Sequence, residues 1–243
     1  MGDFFFFPCT CHFFFVSLHR YLFNSQIFII MAKKLEVVPT IKEGVTLALM
    51  NYVSIVCAVI LYVLTIWIPY LNVGTTIAMA SLPAEMAKGN VLNPTFIFDG
   101  KYRRNMGEFF ILMALMTGAI WVGFLFGIIP GIVISYAWYI AVILFVDKDM
   151  NALEALRESN KLTYGNKMRI FCIGLVLGVA IGLACGIVSG IFSIGHIGWL
   201  QGIGTFLTLL LVIFFVPATL GVDAVIYKKL TSPEEEVPVE EVK

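Results

Sequence analysis

The side chains of this chain that could do acid–base chemistry are few and lie far apart in sequence. Asp223 lies near the end of the last long apolar run. If that run crosses a membrane, an ionisable group inside it is costly and is a functional candidate. Its carboxyl group could line a pathway, or it could reach the membrane surface and pair with Lys228. Glu85 and Glu108 present the same two alternatives, because both lie near the ends of apolar runs.

The sequence gives weaker support for a metal site or for nucleophilic catalysis. Cys9, Cys11 and His12 lie close together, but a Cys-x-Cys-His without a second half is a weak zinc signal. His196 stands alone in a short gap, with no cysteine or carboxylate beside it. The chain has no nucleophile elbow, phosphate loop or His-Glu-x-x-His motif. The sequence therefore predicts that the protein is not an enzyme and has no catalytic, cofactor or metal site.

The composition of the chain predicts its class, and this class determines which elements position these residues. The chain is 60% hydrophobic and only 13% charged, whereas a soluble domain has about 25% charged residues. The net charge is zero, so no overall basic field indicates nucleic acid as a partner. An integral membrane protein is the expected class.

Basic residues alternate along the chain in a way that predicts its topology. Gaps at 33–42, 88–104, 148–169 and 228–229 carry lysine or arginine, and gaps at 69–72, 129–131 and 193–202 carry none. Basic loops remain on the cytoplasmic side. We therefore predict an all-α polytopic membrane protein with six transmembrane helices in three hairpins and with both termini in the cytoplasm. The expected spans are about 44–68, 73–87, 106–129, 131–145, 170–192 and 202–224.

This pattern divides the chain into three parts. Residues 31–230 form the six-helix membrane domain, and the acidic tail 231–243 is expected to be disordered. Residues 1–30 are a Phe-rich extension that resembles neither a signal peptide nor a confident span. One hypothesis is that translation starts at Met31, and the alternative is an apolar anchor at the membrane interface.

A short amphipathic helix is predicted between the second and third hairpins. Asn151 followed by Glu154 is a capping-box arrangement that begins a helix over 151–163. Leu153, Leu156 and Leu162 favour one face, which would lie on the inner membrane surface. The alternative is a solvated helix that contacts nothing.

Glycines recur at every fourth position in the fifth predicted span, and the spacing resembles a glycine zipper. This stripe places small residues on one helix face, where they let helices approach closely in lipid. The preferred interpretation is tight packing within one chain, and the alternative is a homodimer face. The residues concerned are Gly174, Gly178, Gly182, Gly186 and Gly190, with Gly123 and Gly127 repeating the spacing in the third span.

The second predicted span is the most polar one. A segment of this kind must turn its polar side toward protein or lie partly outside the hydrocarbon. With Asp223, its polar residues are the candidates to line a pathway or a polar interior: Thr75, Thr76, Ser81 and Glu85.

A family resemblance rests on short motifs in a consistent order. They are Ile129-Pro130-Gly131, Asp147, Ala152 to Leu156, Ser159, Leu162, Gly165-Asn166, Phe171, Gly198-Trp199, Pro217 and Tyr227. Over about 104–230 the chain resembles six-helix bacterial membrane proteins without an assigned activity, related to the membrane domain of glycerophosphodiester phosphodiesterases. The resemblance implies a multi-pass domain with amphipathic helices between hairpins and no established reaction.

Two functions remain open at this point. The first is a non-enzymatic scaffold that organises lipids or partner proteins in the bacterial cytoplasmic membrane, its basic loops attracting anionic headgroups. The alternative is a small transporter or channel whose pathway is lined by the polar residues of the second and sixth spans.

Overall fold

The structure is a computed structural model, and it describes residues 35–90, 93–193 and 198–232. The predictions for the Phe-rich extension, the Met31 start, the Cys9–Cys11–His12 cluster, His196 and nearly all of the acidic tail lie outside the described residues.

Helices make up most of the described parts of the chain, and no strand occurs there, so the all-α prediction is confirmed. In chain order the helices are α1 Val37–Met50, α2 Tyr52–Thr65, α3 Pro69–Ala87, a 3-10 helix Pro94–Phe98, α4 Lys101–Arg104, α5 Met106–Phe126, α6 Ile128–Ala137, α7 Ala141–Lys148, α8 Ala152–Thr163, α9 Lys167–Ser193 and α10 Gly198–Thr231.

Four segments among the described residues are long and apolar enough to cross a membrane. They are Met106–Phe126, Ile128–Lys148, Lys167–Phe192 and Trp199–Thr231. A fifth span exists only if α1 and α2, which meet at 77°, are one broken span. The multi-pass architecture agrees with the sequence, but the count of six spans is not confirmed.

The bend between α1 and α2 occurs at Asn51, between the two helices. Asparagine weakens a helix because its side chain competes for backbone hydrogen bonds. Before the bend, α1 packs against the last part of α10, where a side chain on Gly44 would collide with Val222. At the same contact Lys229 forms an ion pair with Glu43 at 2.9 Å. The predicted first span is therefore two helices with different directions.

Helix α3, the predicted second span, is enclosed by protein. Near its start Gly74 lies against the side chain of Arg103 and close to Met106, the first residue of α5. Just past its end, Lys88 donates a hydrogen bond to Asp147 in α7. Because α3 thus reaches from the start of α5 to the end of α7, it lies across the ends of these spans. This is the outcome expected of a helix too polar to face lipid.

Most of the buried core lies at the end of the molecule where the charged residues gather. In the most apolar 18-residue stretch of each helix, only 17% of residues are buried within the chain for Met106–Phe126 and 11% for Lys167–Phe192. Large apolar side chains such as Trp121, Leu125 and Leu183 are exposed on these helices. A continuous apolar surface of this extent is suited to lipid. The protein is therefore a set of lipid-exposed helices joined to a packed, charged end.

Helix α8 confirms the predicted capping box, because Glu154 accepts a hydrogen bond from the Asn151 backbone N–H at 3.3 Å. The predicted leucine face is divided, since Leu156 is buried within the chain and Leu153 is exposed, and contact of Leu153 with the membrane surface stays a prediction. Ser159 and Thr163 are fully buried and donate hydrogen bonds to the carbonyl oxygen of a single residue at the end of α6, Ala137. The alternative of a solvated helix without contacts is therefore wrong.

The glycine stripe of α9 does not pack against another described helix. A side chain built on Gly178, Gly182 or Gly186 would have no neighbour within 4 Å, and Gly174 is near only the Tyr136 hydroxyl at 3.5 Å. The preferred interpretation, tight packing within one chain, is therefore wrong for these positions, because the fold turns this face outward.

The two glycines of the third predicted span have separate roles. Gly123 packs against Gly131, where an added Cβ would lie 3.1 Å from the Gly131 Cα, as predicted for a packing glycine. Gly127 instead forms the turn between α5 and α6, with φ of 144°. Only glycine adopts such a backbone readily. The break between the third and fourth predicted spans, expected at 129–131, therefore lies at Gly127.

Candidate functional site

The charged segments that alternate along the sequence meet at one end of the structure. Asp147, in the last turn of α7, joins three helices there. It accepts hydrogen bonds from Lys88 just beyond α3 and from the Tyr227 hydroxyl of α10, the latter at 2.6 Å. Lys88 also lies 3.5 Å from Glu85. This carboxylate therefore ties the second, third and last charged segments into one surface.

The charge of Lys88 is favoured by this arrangement. Its hydrogen bond to Asp147 raises its pKa above 10.5, with further contributions from the nearby carboxylates and an opposing effect of burial. The ammonium form is therefore the one that the packed end stabilises.

A cavity of about 220 Å³, which we call the cleft, lies between α3, α4 and α7. Its floor consists of apolar side chains and a pair of buried hydroxyls, Ser81 and Tyr102, whose oxygens are 3.0 Å apart. Three cations and three carboxylates surround this floor: Lys88, Lys101, Arg104, Glu85, Asp147 and Asp149.

The second feature, which we call the groove, has a volume of about 500 Å³ and lies between α1, the end of α3 and α10. Its apolar wall includes Leu47, Met50 and Met86. Two lysines of its edge, Lys42 and Lys228, are exposed and form no ion pair within the part of the chain that the structure describes. Lys88 lines both the groove and the cleft.

The α3 residues that were predicted to line a pathway form hydrogen bonds within the protein. The Thr75 hydroxyl lies 3.0 Å from that of Thr65, and Thr75 is fully buried. Thr76 is paired with Tyr62 at 3.3 Å. Ser81 contacts the Tyr102 hydroxyl on the cleft floor. These hydroxyls therefore connect α3 to its neighbours, and only Ser81 and Glu85 of the predicted set line the cleft.

Asp223 lies apart from that set. The Tyr139 hydroxyl, at the break between α6 and α7, donates a hydrogen bond to the Asp223 carboxylate at 2.5 Å. No ion pair joins Asp223 to Lys228 among the described residues. The predicted alternative of pairing with Lys228 is therefore wrong, and the carboxyl group is held inside the chain by a tyrosine.

The remaining carboxylate candidate, Glu108, lies near the start of α5. It accepts a weak hydrogen bond of 3.5 Å from the backbone N–H of Ala152, the first residue of α8. Negative charge is favourable at a helix N-terminus. Glu108 therefore has a structural role at the start of α8. No group of three side chains that could hold a metal ion occurs within the described ranges.

Lys101, Arg104 and Asp149 were not singled out by sequence reasoning. Each lies in a charged segment that was used only to assign topology. The available signal was that these segments contain both signs of charge, which a purely cytoplasmic basic loop does not require.

No known protein family matches the chain, and neither a curated protein nor a solved structure does. The resemblance to the membrane domain of glycerophosphodiester phosphodiesterases therefore stays a prediction.

Proposed function

We propose that this protein is a non-enzymatic scaffold of the bacterial cytoplasmic membrane that binds anionic phospholipid in the groove. The observation that carries the proposal is the combination of two lysines without ion pairs, Lys42 and Lys228, with an apolar wall on one cavity. A phospholipid has the complementary parts, a negative headgroup and an acyl chain.

The shape of the molecule supports a lipid ligand. The apolar wall includes Met50, which is 79% exposed, and it continues at Leu49, which is 65% exposed. An acyl chain lying along this wall would cover apolar surface, and burial of apolar area is favourable by about 25 cal/mol per Å². The basic end would face the cytoplasm, because basic segments resist translocation.

The test is lipid retention by the full chain, measured by native mass spectrometry after extraction with its own lipids. We expect the wild type to retain phosphatidylglycerol or another anionic phospholipid. Replacing Lys42 and Lys228 by glutamine should weaken retention about 30-fold, since each basic residue near an anionic surface contributes about 1 kcal/mol.

A matched control removes two cations elsewhere on the charged end. Lys148 and Arg157 are exposed, form no ion pair among the described residues and lie outside the groove. Their double glutamine variant should retain lipid like the wild type. Equal losses in both double variants would mean general surface attraction and would overturn the groove as the site.

A small transporter is a second candidate, favoured by one observation. Asp223 lies within a candidate span with a tyrosine hydroxyl as its hydrogen-bond partner, and ionisable groups in spans often serve transport. Under this hypothesis, Asp223→Asn abolishes flux in reconstituted vesicles while the protein still folds. Under the scaffold hypothesis, the same variant retains anionic lipid and changes little else.

A further inference from the structure

We infer that the cleft is a binding site for a small zwitterion that carries a primary ammonium group and a phosphate, the chemistry of phosphoethanolamine. The inference goes beyond the proposed function, because the cleft is distinct from the groove and is lined by different residues apart from Lys88.

The charges of the cleft exclude a ligand of one sign. Three cations and three carboxylates line it. A free anion would meet the three carboxylates, and a free cation would meet the three cations, so either would be repelled at part of the wall. A ligand with both charges a few ångströms apart avoids this repulsion when its negative group faces the cations and its positive group faces the carboxylates.

The anionic group of the ligand is assigned to α4. The Lys101 ammonium forms no ion pair in the part of the chain that the structure describes and lies 4.7 Å from the centre of the Tyr102 ring. Arg104 is only loosely paired with Asp149, at 3.4 Å between exposed side chains. Lysine and arginine are the usual partners of phosphate, and both have donors to spare here.

The ammonium group is assigned to the carboxylates that α3 and the end of α7 contribute to the cleft. Asp149 follows α7 in the left-handed conformation, with φ of 50°. Its carboxylate accepts from Arg104 and Asn105. Glu85 lies on the α3 wall, where its contact with Lys88 is 3.5 Å long. A primary ammonium carries three N–H donors for these carboxylates, whereas a trimethylated one has none.

The size of the cleft agrees with a headgroup. Sites for drug-sized ligands have volumes of about 300–1,000 Å³, and the cleft is smaller, at about 220 Å³. The Ser81 and Tyr102 hydroxyls of the floor supply additional polar partners. The ligand could be the headgroup of a membrane lipid or a free phosphoethanolamine, and the two sources share this chemistry.

The experiment uses the full chain in phosphatidylcholine nanodiscs. Free phosphoethanolamine is titrated by calorimetry, with phosphocholine as the methylated comparison. In a second arm, native mass spectrometry measures retention of phosphatidylethanolamine against phosphatidylcholine. We expect the primary amine to be preferred in at least one arm. Binding of the free compound identifies a soluble ligand, and retention of the lipid alone identifies a lipid headgroup.

Three variants locate the binding. Asp149→Asn keeps a residue that tolerates the left-handed backbone, and it removes one charged partner of the ammonium. Lys101→Gln removes a charge at the phosphate end. Each should lower affinity about tenfold or more. Lys148→Gln, one residue before Asp149 and outside the cleft, should leave affinity unchanged.

Several results would overturn the inference. They are the absence of binding in both arms, equal binding of the trimethylated compounds, or affinity that is unchanged in both Asp149→Asn and Lys101→Gln. If Asp149→Asn does not fold, Lys101→Gln alone decides. The double variant of Lys42 and Lys228 should leave zwitterion binding intact, so failure of the groove proposal is distinguishable from failure of this one.

Discussion

The glycines that matter for stability should be those at the crossing of α1 and α10. A Cβ added to Gly221 would overlap the carbonyl oxygen of Gly44 and lie 2.8 Å from the Cβ of Ala48. The colliding group is backbone, so it cannot move aside as a flexible side chain would. We therefore expect Gly221→Ala to destabilise the protein by separating these two helices.

The magnitude follows from two opposing effects. Overpacking a filled site costs about 1–3 kcal/mol, and a backbone collision belongs at the upper end of that range. Alanine regains about 1 kcal/mol of helix propensity relative to glycine. The net loss is about 2 kcal/mol, which lowers the Tm of a chain of this size by about 4–8 °C. Thermal unfolding of the purified protein in detergent measures this shift.

The matched control is Gly182→Ala in the exposed stripe of α9. An added Cβ there meets no atom within 4 Å, so the variant should be between unchanged and about 1 kcal/mol more stable. Equal Tm values for the Gly221 and Gly182 variants would refute the reasoning. A lower Tm for Gly182→Ala alone would mean that a second copy covers the stripe, as the homodimer alternative requires.

Two further predictions concern the charged end. Because α3 lies across the ends of the spans, single cysteines at Asn72 and Asn160 should share one side of the membrane, opposite to a cysteine at Gln201. Labelling of intact cells with impermeant thiol reagents checks this, and opposite labelling of Asn72 and Asn160 would restore the predicted first hairpin. The raised pKa of Lys88 means that its hydrogen bond to Asp147 stabilises the protein below pH 10.5, and that this stabilisation is lost as pH rises through the higher folded pKa. Wild-type Tm should therefore fall from pH 9 to pH 11.5 by more than that of Lys88→Met, and parallel falls would contradict it.

The sequence by itself determined the features that depend on local properties summed along the chain. Apolar runs predicted the lipid-exposed helices, since transfer of each side chain from water is nearly independent of its neighbours. Alternating charge predicted which segments share one end, and the contacts of Asp147 with Lys88 and Tyr227 agree. The capping box at Asn151 was predictable from the sequence because its partners lie three residues apart.

Only the tertiary structure decided which residues meet across long stretches of sequence. The glycine spacing in α9 is the same whether its face meets a helix or lipid, so it could not reveal that Gly178 and Gly182 are exposed. Nor could a pattern identify Gly44 and Gly221, which stand 177 residues apart (221 − 44) and do not belong to the stripe. Helix crossings depend on the shapes of two surfaces at once, and a pattern within one helix contains only one of them.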